Sequence, residues 1–197
     1  MNANLLVSLI SFVFVTSVTP GPNNLMLMAS GANFGFRRTL AHMAGISLGF
    51  AVMAFVVGLG LAGLFLAYPP AKVALKALSV LYMLWLAWKI AHATAPGEGR
   101  AAAQPMTILQ AAAFQWVNPK AWFMALGAVT NYAEGPGLWP IIAVAFVCAA
   151  VNFPSIAVWA KAGATMRHLL TNRHRLVVFN WTMAVLLVLS LWPVLEF

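Results

Sequence analysis

Apolar residues along this chain arrive in long, nearly unbroken runs. Six can be marked: Leu5 to Ala29, Leu40 to Leu66, Val73 to Ile90, Met106 to Val129, Leu138 to Ala160 and Leu176 to Val194. A run of about 20 apolar residues crosses the roughly 30 Å hydrocarbon core of a bilayer as a helix, so the pattern predicts six transmembrane helices. The third run is crowded at its start by Lys72 and Lys76, whose ammonium groups must snorkel to the interface. Between the third and fourth runs, HATAPGEGRAAAQP reads as a flexible link near the middle of the chain. The first run lacks a positively charged lead-in and is expected to stay in place as a helix.

Composition agrees. Of 197 residues, 63% are hydrophobic and 7% charged, with no aspartate, whereas a soluble domain carries about 25% charged residues. The expectation is a single all-α membrane domain over 1–197. The net charge of +8 comes from residues at the ends of the apolar runs, which points to topology and to anionic lipid head groups, and not to nucleic acid. Eight of the eleven basic residues (Arg37, Arg38, Lys89, Arg100, Lys161, Arg167, Arg173 and Arg175) fall in the first, third and fifth connections. The positive-inside rule places those connections in the cytoplasm and both termini outside. Tyr68, Tyr132, Trp139 and Trp192 would then mark the outer interface, and Trp88 and Trp159 the inner one. Cys148 has no second cysteine to pair with, so neither a disulfide nor a thiolate metal site is expected, and nothing calls for a cofactor.

Three crossings on each side of a central link form the layout of an inverted-topology repeat, here about 1–92 and 106–197 around a linker at about 93–105. Pro20 in the first helix and Pro119 in the fourth stand half a chain length apart, so each half carries a helix break in a corresponding place. At 1.5 Å per residue the first break lies roughly 22 Å into its helix and the second roughly 20 Å, each toward the middle of the bilayer. Prolines have no N–H, so the carbonyls of Thr16, Val18 and Gln115 lose their usual helical partners. Lipid cannot satisfy them, and the breaks must face protein, water or a solute.

The stretch PGPNN, Pro20 to Asn24, and the stretch Asn118, Pro119, Lys120 are therefore the candidate solute site. Gly21 is expected to supply an unusual backbone conformation between its prolines. Asn23 and Asn24 bring amide donors and acceptors, and the helix restarting near Pro22 presents free N–H groups and a positive dipole end to a carboxylate. Lys120 is costly within a span, by about 2.5–3.5 kcal/mol on insertion scales. The acids Glu98, Glu134 and Glu196 all lie outside the apolar runs, so carbonyls, water, a substrate carboxylate or snorkelling to the outer interface must serve Lys120. Asn152, with Pro154 two residues on, either interrupts the fifth helix and lines the same cavity or bonds between helices. His42 is a candidate for handling protons, or is simply solvated near the cytoplasmic boundary. Gly45 and Gly49 have the small-xxx-small spacing of close helix packing.

TPGPN at the end of the first break, GANFGFRRTLAHMAGISLGF after it, and QWVNPKAWFMAL in the fourth run together resemble the LysE/RhtB family of bacterial amino-acid exporters, over essentially the whole chain. The resemblance implies a multi-pass protein of the bacterial inner membrane that exports amino acids or close derivatives, driven by proton antiport, with Pro20, Gly21, Pro22, Asn23, Asn118, Pro119 and Lys120 in the matching motifs. Few charges line the spans, which favours a neutral amino acid. A homo-oligomer is compatible with the sequence. The alternative classes are a passive channel for small solutes and a membrane-embedded enzyme or assembly factor; no clustered acids, histidines or activated nucleophile favour the enzyme.

Overall fold

The computed structural model describes residues 1–61, 67, 69–93, 104–170 and 172–191. Tyr68, Glu98, Arg100, Trp192 and Glu196, and most of the expected linker, lie outside that set. Among the described residues the regular structure is helical throughout: α1 Ala3–Val18, α2 Pro22–Phe34, α3 Phe36–Val56 continued by a π-helical turn Val57–Leu61, α4 Pro69–Ala91, α5 Ile108–Gln115, α6 Pro119–Tyr132, α7 Trp139–Met166 and α8 Arg173–Leu189. Three stretches, Phe36–Leu61, Val73–Ala91 and Trp139–Met166, are each long and apolar enough to cross a membrane, and α1 with α2 forms a fourth, bent by 58° at the break. The described residues are those of an all-helical membrane protein.

Local chemistry sets the helix ends. Asn2 caps α1 by accepting the Leu5 N–H, and Thr107 with Gln110 forms a reciprocal capping box on α5. Pro22 and Pro119 occupy first-turn positions, where a missing N–H costs nothing. The expected first connection shrinks to one residue. Gly35, at φ +83°, lets the chain turn directly from α2 into α3. Arg37 and Arg38 therefore sit on the first turn of α3 and not in a loop. At the other end of the chain, α7 runs unbroken through Pro154 to Met166, so the fifth helix is not interrupted and Lys161 is helical.

α7 is the axis of the packing, touching α1, α2, α3 and α6, while α5 lies on α3 and α8 on α4. Its tightest contact is with α2. A Cβ on Gly163 would stand 2.0 Å from the Met28 carbonyl, and one on Gly31 would stand 2.1 Å from the Ala160 carbonyl. The two backbones are in direct contact, a distance only hydrogen side chains permit. Gly45 and Gly49 do the same for α3 against α5, meeting Ile108 and Ala111, and Ala112. Around these seams lie three apolar clusters. The first is built on Met83, Phe114, Phe179 and Leu187, the second on Leu9, Phe50, Met53 and Cys148, and the third on Leu27, Met43, Ile46 and Ile156. Large apolar side chains also point outward, among them Leu109, Phe146 and Val73, as a lipid-facing surface requires.

The seam carries a testable consequence. Gly163→Ala should destabilise the detergent-purified protein by roughly 1–3 kcal/mol, because backbone atoms cannot swing aside as a side chain could. Phe146→Ala, on the lipid-facing side of the same helix, should stay within about 0.5 kcal/mol. Thermal unfolding of the two variants beside wild type checks both.

Candidate solute-binding site

The two helix breaks meet. In the first, α1 ends at Val18, Thr19 to Gly21 run extended, and α2 restarts at Pro22. In the second, α5 ends at Gln115 and α6 restarts at Pro119 after Asn118. Asn23 and Gln115 exchange both amide hydrogen bonds across the gap, at 2.9 and 3.2 Å. Lys120 reaches from α6 to donate its ammonium to the carbonyls of Thr19 and, at 3.3 Å, Pro20. The halves of the sequence are thus tied together where each of them is broken.

The carbonyls released by the two breaks account for most of the local structure. Asn24, 3% exposed, donates to the carbonyls of Ser17 and Thr19 at 2.8 Å and, more weakly, to Val18 at 3.4 Å. The Trp159 indole donates to Val18 at 3.0 Å. In the second break Gln115 recovers a donor from the Asn118 N–H at 3.1 Å, and Trp116 from the Trp122 indole at 2.9 Å. Asn118 also caps α6 by accepting the Lys120 N–H. Each bond contributes only about 1 kcal/mol net, but a buried carbonyl left bare costs about 1–3 kcal/mol, so avoiding the penalty is the larger effect.

Asn152 of α7 bridges the first break to α3. It donates to the Ser17 hydroxyl and accepts from Ser47, both at 2.8 Å. Together with Gly21, Asn23, Asn24, Asn118 and Lys120 it lines one cavity of about 20 Å³, the space of about one water molecule. Thr16 lines it too, and its carbonyl is the one that Pro20 cannot serve. The N–H groups of Asn23 and Asn24 precede the first hydrogen bond of α2, which Leu25 donates to Gly21. The cavity is therefore lined by amide and hydroxyl side chains together with Lys120, whose ammonium lies against the carbonyls of the first break.

Of the residues singled out from the sequence, Gly21, Asn23, Asn24, Asn118, Lys120 and Asn152 converge here, while Pro20, Pro22 and Pro119 break the helices without lining the cavity. The reason for Gly21 differs from the expectation. Its φ of −178° is open to any residue, but a Cβ there would lie 2.7 Å from Lys120 Cδ. It is a glycine for space. His42 is not solvated: it is 2% exposed, off the cavity lining, and neither ring nitrogen has a hydrogen-bond partner. Trp159 is no simple interface anchor, and Gln115, Ser17 and Ser47 were not anticipated. The signal for Trp159 was its place two turns beyond Asn152, on the same face of one helix.

The sequence profile of the LysE type translocator family matches residues 14–190. The chain belongs to this family. It is a translocator and not an enzyme. Among curated relatives, the cysteine/O-acetylserine efflux protein of Escherichia coli K12 is 30% identical over 191 residues, covering 95% of this chain and 96% of that one. The protein of the same name from Klebsiella pneumoniae subsp. pneumoniae is 28% identical over 190 residues, covering 95% of each. No solved structure matches.

Asn24 offers a direct check on the carbonyl account. Asn24→Leu keeps the branched shape and strands the carbonyl of Ser17, while Thr19 keeps its bond from Lys120, so it should cost roughly 1–3 kcal/mol of stability. Asn131, whose bond to Gly127 is exposed, should tolerate the same change within about 0.5 kcal/mol. Thermal unfolding in detergent reads the difference.

Proposed function

We propose that this protein is a secondary exporter carrying a neutral amino acid or close derivative, of the class of cysteine and O-acetylserine, out of the cytoplasm across the bacterial inner membrane in exchange for protons. The observation that carries the reading is the meeting of two broken helices at one polar cavity, the arrangement by which transporters hold a zwitterion with backbone groups. The amino-acid carboxylate sits against the N–H groups that open α2 and against Lys120. Its ammonium takes the carbonyls that close α1. The relatives named for efflux of cysteine and O-acetylserine support the solute class.

In this reading α1 with α2 makes one crossing, α3, α4, α7 and α8 one each, and α5 with α6 the remaining one. The whole is a single domain of two inverted three-helix halves, with both termini outside and the basic connections on the cytoplasmic side, against anionic lipid. A cavity of about 20 Å³ holds a water and excludes an amino acid. Solute enters only when the two halves rock apart, which makes the described state a closed one in an alternating cycle. His42 carries the proton. It is buried with both ring nitrogens unpaired; of the helices that pack on its own, α2 and α5 hold no charged residue, α6 holds Lys120 and α7 holds Lys161.

Counterflow into proteoliposomes, with a panel of labelled neutral amino acids including cysteine, tests the function. Wild type should accumulate at least one of them, and an imposed pH gradient should raise the accumulation. Equilibration that the gradient cannot bias would replace the exporter by a channel, and silence across the panel would favour an assembly role. His42→Gln should keep counterflow and lose the response to the gradient; a full response in that variant would move the proton elsewhere.

A further inference from the structure

We propose that Lys120 is a built-in stand-in for the ammonium of the cargo: it plugs the carbonyls of the first break in the empty carrier and yields them only to a solute that brings a carboxylate with its ammonium. The inference rests on the reading that this cavity holds an amino acid, and adds how the site tells an amino acid from an amine. Four observations lead to it. The Lys120 ammonium sits on the Thr19 and Pro20 carbonyls, just beyond the negative end of the α1 dipole, where any ammonium is favoured. Gly21 is bare where the lysine stem passes, since a Cβ would stand 2.7 Å from Cδ and 3.1 Å from Nζ. Lys120 has no carboxylate partner among the described residues, whose single acid, Glu134, lies in the loop after α6. Finally, Asn23 and Asn24, whose N–H groups precede the first hydrogen bond of α2, line the same cavity.

A lysine paired only with carbonyls leaves the cavity with an uncompensated positive charge. A zwitterion completes it without adding to it. The incoming carboxylate draws Nζ off Thr19 and Pro20, the incoming ammonium takes those carbonyls, and the net charge of the site is unchanged. A bare amine fails this exchange, because it would crowd a second cation against the lysine with nothing to draw the lysine away. A plain carboxylate also fails, because it would take Lys120 and leave the Pro20 carbonyl without a donor and Thr19 with Asn24 alone. A side chain with its own positive charge adds one more cation to the site. Lys120 thus acts as a gatekeeper for neutral zwitterions.

The test is binding to the full-length purified protein, using serine with ethanolamine and cysteine with cysteamine, each pair differing by the carboxylate. Wild type should bind at least one of the amino acids and its amine at least a hundredfold more weakly. Lys120→Ala should lose amino-acid affinity at least tenfold and gain amine affinity at least tenfold; Lys120→Arg should keep the wild-type order. Gly21→Ala, which pushes the lysine stem off the break while keeping its charge, should gain amine affinity as well, and serves if Lys120→Ala does not fold. Loss of amino-acid binding in Lys120→Ala with no gain for the amine would make Lys120 an ordinary carboxylate contact and overturn the proposal. Unchanged binding in both variants would also overturn it. Wild-type protein that binds no amino acid at all would instead remove the exporter reading on which the proposal stands.

Discussion

A backbone carbonyl inside a bilayer must have a donor, and in this protein that single constraint organises everything around the first break. Prolines at positions 20 and 22 deny Thr16 and Val18 their helical donors, and the break they impose frees the carbonyls of Ser17 and Thr19 as well. The replacements come from three directions: Asn24 from the next helix, the Trp159 indole from α7 and the Lys120 ammonium from α6. Each donor also fixes the helix that carries it. The break is thus a junction where α1, α2, α6 and α7 are held in register by groups that lipid could not replace. Were the helix continuous, those carbonyls would be consumed internally, and neither Asn24 nor Lys120 would have a structural reason to turn toward them.

What could be read from the sequence follows the range of the interactions involved. Membrane class, the positions of both breaks and the convergence of Asn23, Asn24, Asn118, Lys120 and Asn152 were legible, because proline, run length and polar residues in apolar context act locally. The pairing of Asn23 with Gln115 was not legible, nor was the service of Trp159 to Val18. The partners stand 92 and 141 residues apart, and neither glutamine nor tryptophan is unusual in such a chain. Gly21 was found for the wrong reason, since its spacing between prolines suggests conformation while its true constraint is a side chain from the other half. Gly35 went unnoticed as a one-residue turn, so two arginines of the first turn of α3 were assigned to a loop. His42 was read as proton-handling or solvated from its nearness to the cytoplasmic boundary, which says nothing of the side of the helix it occupies.

Two kinds of contact join the halves of the sequence, and they differ in how they can respond to a solute. Around the cavity the contacts are polar and exchangeable. An amide pair and an ammonium on carbonyls can each trade a protein partner for a solute group of the same kind at small net cost. Along the seam of Gly31 and Gly163 the contact is backbone on backbone, with no side chain to flex and no polar partner to exchange. Packed surfaces of this kind shift as units and do not deform gradually. Any motion that enlarges the cavity must therefore begin at the breaks, where partners can be traded, and must carry α2 and α7 together wherever that seam persists. In the proposed cycle the glycines would set which helices travel as one body, and the broken helices where the body parts.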